Sequence, residues 1–258
     1  MESVVLAHEV HGSGTVPVVV LHGWFADRAT FRAIRPYLDG DTFTYAFADL
    51  RGYGESRQIR GDYGMLEVAH DALALADHLG WDRFCVVGHS MGGKAAQVLA
   101  GIAGRRVRRI VGVSPVSAGG SGFDAETARL FARAAGEPSV RRAILDFSTG
   151  GRLPERWLDG MVRQSLECCA PEVFAAYLRN WSVEDLHERV AGCDVPALAV
   201  VGGHDPGLGV EAMHETWMRW FKRGEVKEFA DSGHYAMDEE PLALTSAIEA
   251  FLAIPDPV

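Results

Sequence analysis

Short runs of β-branched and aromatic residues alternate with helical patterns through the first 115 residues of this chain, and again from Pro196 onward. Val18–Leu21, Phe43–Leu50, Phe84–Val87 and Arg109–Val113 are the first four runs. Between them, residues 28–38 read as a helix. Leu66, Ala69, Leu73, Ala76 and Leu79 recur at spacings of three and four, with Gly80 as the C-cap, and Met91–Ala103 forms a third helical stretch. Runs that are apolar throughout belong to strands covered on both faces. Strand–helix alternation therefore calls for an α/β fold, a mostly parallel central sheet with helices on both faces. Ahead of it, Val4 to Val10 alternates weakly and ends at Gly12-Ser13-Gly14, which predicts an edge hairpin.

The alternation stops after Pro115. Residues 118–187 are helical and loop-like, without a convincing strand, and open on the flexible stretch Gly119-Gly120-Ser121-Gly122. It resumes with Pro196–Val201 (strand), Val210–Phe221 (helix), Val226–Ala230 (strand) and Leu242–Leu252 (helix). The economical reading is one α/β core, residues 1–117 and 188–258, carrying a helical cap at 118–187. A length of 258 residues with 48% apolar content supports one domain of that kind.

Composition removes several classes of function. A formal charge of −10 opposes nucleic acid as a partner. The one basic cluster, Arg105, Arg106, Arg108 and Arg109, reads as a solvated helix end leading into a strand. No run of 18 apolar residues marks a membrane span, and the N-terminal stretch MESVVLAHEV shows no secretory signal, so a cytoplasmic location is expected. Cys85, Cys168, Cys169 and Cys193 lack framework spacing and read as reduced, non-catalytic thiols. Neither a zinc-ligand spacing nor a glycine-rich nucleotide loop after a strand is present, so no metal or organic cofactor is expected.

Gly88-His89-Ser90-Met91-Gly92 lies directly between a predicted strand and a predicted helix. The letters alone arise by chance in roughly one chain in ten of this length, so the placement carries the argument. A sharp strand-to-helix turn strains its central residue and needs flanking glycines, and it lifts the hydroxyl to a helix N-terminus that stabilises negative charge. Ser90 is the candidate nucleophile. A serine hydroxyl needs a base, and among ten histidines His234 follows the last predicted strand, where its side chain can reach the carboxyl edge of the sheet. The acid that orients it is Asp205, immediately after the strand Pro196–Val201; Asp231 competes by proximity. Backbone N–H donors for an oxyanion are assigned to Met91, after the nucleophile, and to Trp24 in the loop His22-Gly23-Trp24-Phe25. His22 is read as shaping that loop, His89 as pointing away from Ser90, and Lys94 as a helix-surface residue.

Together, Leu21-His22-Gly23-Trp24, Asp49-Leu50-Arg51-Gly52-Tyr53-Gly54-Glu55-Ser56, Gly88 to Gly93, Gly203-His204-Asp205-Pro206 and Gly233-His234 resemble the α/β-hydrolase fold superfamily. The resemblance spans nearly the whole chain outside 118–187, with the Ser…Asp…His order usual there. Within the superfamily the pattern is similar to small bacterial carboxylesterases and haloperoxidase-like esterases. The latter usually carry proline after the His-Gly-Trp, where this chain has Phe25, so the resemblance does not extend to perhydrolase activity. Dehalogenases and epoxide hydrolases of this fold use an aspartate nucleophile, which Ser90 is not.

The function expected from the sequence is a serine hydrolase that cleaves a carboxylic ester, or a lactone or thioester, through an acyl-Ser90 intermediate. The substrate is expected to be a small apolar molecule. A C–C bond hydrolase or lyase on the same triad, or a slow-turnover ligand receptor, is the alternative.

Overall fold

The computed structural model describes residues 4–255. Met1 to Ser3, part of the N-terminal stretch read above, and residues 256–258 lie outside them. Seven strands form one sheet in the order β1-β3-β2-β4-β5-β6-β7: β1 (His8–His11), β2 (Val16–Leu21), β3 (Phe43–Ala48), β4 (Phe84–His89), β5 (Val107–Val113), β6 (Ala197–Gly202) and β7 (Gly224–Phe229). All neighbours run parallel except β1, which lies antiparallel on β3. The expected edge hairpin is therefore corrected: β1 is an edge strand, but its partner is β3 and not the β2 that follows it. The turn at Gly12 (φ +85°) instead carries the chain across to begin β2.

The continuous apolar runs end up where burial on both faces requires them. Val18, Val19 and Leu21 of β2 and Val86, Ile110, Val111, Ala199 and Val200 of the adjoining strands are fully buried. Helices cover both faces: α1 (Met65–His78) and α2 (Met91–Ala103) pack on each other, and α10 (Pro241–Leu252) lies against β5. Four helices, α3 (Ala125–Arg133), α4 (Pro138–Ser148), α5 (Glu155–Glu167) and α6 (Pro171–Val183), fill the segment between β5 and β6. Short helices α7 (Val210–Glu215), α8 (Trp217–Trp220) and α9 (Ala236–Glu239) complete the fold.

Two helices expected from sequence are broken. Residues 28–38 form two 3₁₀ turns, Arg28–Phe31 and Arg35–Tyr37. Pro36 supplies no N–H and crowds the carbonyl four residues back, so an α-helix cannot run through it. The stretch Val210–Phe221 is split at Thr216, whose hydroxyl bonds the Ala212 carbonyl at 2.7 Å.

The strand order reverses at β2. The chain moves from β2 outward to β3, then returns past β2 to β4. Loops leaving the carboxyl ends of β2 and β4 consequently diverge and open a crevice between them, the place where ligands bind open parallel sheets.

Candidate active site

Ser90 stands at the end of β4, immediately ahead of α2, with φ +53° and ψ −114°. A non-glycine residue in such a conformation costs on the order of 1–3 kcal/mol, and hydrogen bonds on both sides hold it there. Its amide donates to the Val113 carbonyl at 2.9 Å, and its carbonyl accepts from Gly93 (2.9 Å) and Val116 (3.0 Å). The flanking glycines are obligatory. A Cβ on Gly88 would lie 2.3 Å from the Gly92 carbonyl oxygen, and one on Gly92 would lie 2.5 Å from that of Leu21.

The loop after β2 is pressed against this turn. A Cβ on Gly23 would fall 2.7 Å from His89 Nδ1 and 3.2 Å from the Ser90 Cβ. His22, fully buried, shapes the loop: its Nε2 accepts the Leu50 amide at 3.0 Å, which leaves Nδ1 as the donor to the Gly23 carbonyl at 2.8 Å. Burial pushes its pKa below the ordinary value, so the ring is neutral. Tyr53, also buried, donates to the Trp24 carbonyl at 2.7 Å. Among the described residues, neither the Trp24 nor the Met91 amide meets a hydrogen-bond acceptor.

His234 and Asp205 are brought together. Asp205 follows β6, and its Oδ2 accepts from His234 Nδ1 at 2.6 Å. Its Oδ1 takes the amides of Gly207 (3.0 Å) and Leu208 (3.1 Å), so the carboxylate is fixed from both sides. His234 is clamped through its own backbone: its amide donates to the Ser148 carbonyl of α4 at 3.1 Å, and its carbonyl accepts from His89 Nε2 at 3.0 Å. Asp231, the competing acid, is exposed and offers its main-chain carbonyl to Arg152. Ser90, Asp205 and His234 share the wall of one cavity of about 340 Å³, bounded below by the strand ends and above by residues of the β5–β6 segment.

Comparison with known proteins places this architecture. The family described as alpha/beta hydrolase fold matches residues 16–241. The chain belongs to that family. A soluble epoxide hydrolase of Corynebacterium sp. (strain C12) is 36% identical over 89 residues, 34% of this chain and 31% of that one. This α/β-hydrolase spans less than two thirds of the length of the first curated relatives it matches. A thermophilic esterase from Thermogutta terrifontis superposes with a TM-score of 0.82 at 27% identity, covering 96% of this chain and 92% of that one. The enol-lactonase from Burkholderia xenovorans LB400 superposes with a TM-score of 0.84 at 22% identity, covering 96% of each, and so shares its fold.

Several buried polar residues of this α/β-hydrolase are not legible in the residue spacing. Lys94 is not on a helix surface: it is fully buried, and its Nζ donates to the carbonyls of Gly119 (2.8 Å), Trp181 (2.9 Å) and Glu184 (2.5 Å). The signal was available, because α2 reads MGGKAAQVLAGIA, and a helix apolar or small all round is a buried helix. Arg109, expected in a solvated cluster, is likewise buried and donates to the carbonyls of Ile254 and Pro255. His89 serves as the clamp on His234 described above. Burial pushes its pKa well below the ordinary value.

Of the large apolar residues between β5 and β6, Phe123, Phe131, Phe147 and Trp181 line the cavity. Phe174 and Tyr177 are buried away from it, Tyr177 bonding the Arg51 carbonyl at 2.9 Å. No helix among the described residues is long and apolar enough to cross a membrane.

Proposed function

We propose that this α/β-hydrolase cleaves carboxylic esters, lactones and thioesters included, through an acyl intermediate on Ser90, beneath a helical cap formed by residues 118–187. The observation that carries this reading is the Asp205–His234 hydrogen bond on the same cavity wall as a strained, glycine-flanked Ser90. The Thermogutta protein, an esterase by its title and 27% identical, supports it.

Asp205 takes the Nδ1–H of His234, so the Nε2 lone pair is the base. Ser90 Oγ attacks the acyl carbon and its proton passes to Nε2, while the carbonyl oxygen gains negative charge opposite the Trp24 and Met91 amides. Collapse of the adduct breaks the C–O bond, and the alcohol departs with the proton held by His234. Water then attacks the acyl-Ser90 carbonyl in the same manner, which releases the acid and restores the serine.

Hydrolysis of a chromogenic ester tests this. The protein should turn over repeatedly, and Ser90→Ala should lose on the order of 10⁴-fold or more in rate while keeping the wild-type melting temperature. Full activity in Ser90→Ala would remove the serine from the reaction. A single stoichiometric burst would make the protein a receptor in place of an enzyme.

A further inference from the structure

The loop that carries His234 runs outside any helix or strand from the end of β7 until α9 begins at Ala236. Three successive amides in it are nonetheless held. The His234 N–H reaches the Ser148 carbonyl at 3.1 Å. The amides on either side of it go to one carboxylate: Gly233 donates to Glu239 Oε2 at 2.9 Å, and Tyr235 to Oε1 at 3.2 Å. Glu239 lies one turn beyond Tyr235, and helix side chains lean towards the N-terminus, so the carboxylate returns over the residues that precede α9. The Glu239 side chain is only 4% exposed. A carboxylate so buried is costly unless its oxygens are fully paired. The third partner is Arg152, whose guanidinium meets Oε2 at 3.2 Å and also donates to the Asp231 carbonyl at 2.9 Å. Arg152 belongs to the segment between β5 and β6, just after Gly150 and Gly151 turn the chain in the left-handed region at φ +68° and +66°. That segment is pressed onto the histidine loop, since a Cβ on Gly233 would fall 2.7 Å from the Thr149 Cα.

We propose that Glu239 is a positioning residue for the general base and that Arg152 locks it, so that the docking of the β5–β6 segment sets where the His234 ring stands relative to Ser90. This rests on the acyl-transfer reading above, in which His234 takes the Ser90 proton. Asp205 fixes the tautomer and one edge of the ring. The ring also moves with the main chain that bears it, and Glu239 holds that chain one residue before His234 and one residue after. Releasing both amides lets the imidazole drift, and a misplacement of about 1 Å costs on the order of a hundredfold in rate. Neither Glu239 nor Arg152 lines the cavity around Ser90. Their effect therefore passes through His234 and belongs in kcat, while substrate binding, and with it KM, is left alone.

The test reads kcat and KM separately on one chromogenic ester, well below each variant's melting temperature, so that lost folding is not taken for lost chemistry. Glu239→Gln turns an amide nitrogen towards one of the two N–H groups and should lower kcat by about 10- to 100-fold, with KM within about 2-fold of wild type. Arg152→Met, at a partly exposed position, frees the carboxylate without removing it and should lower kcat by about 3- to 5-fold. The double variant should match Glu239→Gln alone, because Arg152 acts through that carboxylate. A kcat within about 2-fold of wild type in Glu239→Gln, a loss carried by KM, or losses that multiply in the double variant overturns the proposal. A second readout needs no turnover. The His234 Nδ1 proton, assigned by its absence in His234→Gln, should shift or broaden in both single variants. A resonance unchanged in position and width overturns the proposal. If Glu239→Gln does not fold, kcat and the resonance in Arg152→Met decide in the same way. If the wild type hydrolyses no ester at all, the acyl-transfer reading fails, and the resonance still decides whether Glu239 and Arg152 hold His234.

Discussion

Asp205 is fixed before any substrate arrives, since Oδ1 holds two backbone amides and only Oδ2 faces His234. Asp205→Asn keeps the shape but removes the acceptor that selects the Nδ1–H tautomer. A loss of about 10⁴-fold in kcat is expected, the size given by the analogous change in a serine protease. Asp231→Asn alters an exposed side chain and should cost little. Steady-state kinetics on the two variants give the ranking, and the reverse order would transfer the role to Asp231. A second expectation concerns acid. His22 and His89 are buried and neutral, their pKa values lowered first of all by desolvation. Below about pH 6.5 the unfolded chain takes up protons that these rings refuse, so stability falls as pH falls, until the depressed folded-state values are reached. Each histidine contributes about 1.4 kcal/mol per pH unit in that window. Urea unfolding at pH 6.5 and 5.5 should show the decline, and His89→Gln should flatten it by roughly half. An unchanged slope in the variant would mean that His89 is charged in the fold.

At the scale of elements, α2 does more than present Ser90. One turn on, Lys94 binds three carbonyls from the two ends of the proposed cap, Gly119 on one side and Trp181 and Glu184 on the other. Lys94→Met keeps the stem but leaves those acceptors without a donor in a dry space. Unfolding should become easier by about 2–4 kcal/mol, as expected when hydrogen bonds to a charged group are broken. Burial pushes the ammonium pKa down to about 8, against a higher value when unfolded. The folded chain thus binds fewer protons between pH 8 and 10.5, and the stability gap between wild type and variant should widen as pH rises through that window. A variant as stable as the wild type would show the three bonds to be incidental. The elements themselves were legible where periodicity and burial agree, as in α1, α2 and the central strands. They differ from the pattern where a single residue overrides it: Pro36 in the helix predicted over residues 28–38, and Thr216 in the one predicted over 210–221. The proposed catalytic residues could be picked out because each follows a strand at the carboxyl edge of the sheet. Lys94 and His89 act on carbonyls far away in the chain, and spacing holds no trace of such partners.

The whole molecule determines what the site can accept, because the cavity is closed by the strand-end loops below and the proposed cap above. About 340 Å³ lies near the lower end of small-molecule pockets. Its wall is largely aromatic and aliphatic, with Phe123, Phe131, Ile144, Leu208 and Met213 alongside a few hydroxyls from Ser117, Ser121, Ser148 and Thr216. Such a lining favours an apolar acyl or alcohol group over a small charged one, and Glu215 adds repulsion against anions. Each methylene that enters should contribute about 0.8 kcal/mol, close to a fourfold gain in kcat/KM per carbon. The gain must stop when the cavity is full, so acetyl, butyryl, hexanoyl and octanoyl esters of one chromogenic alcohol should climb steeply and then level off. Replacing Phe131 by Ala enlarges the cavity and should move the plateau to longer chains. A flat series, or a preference for charged acyl groups, would show that substrates reach Ser90 without using this wall.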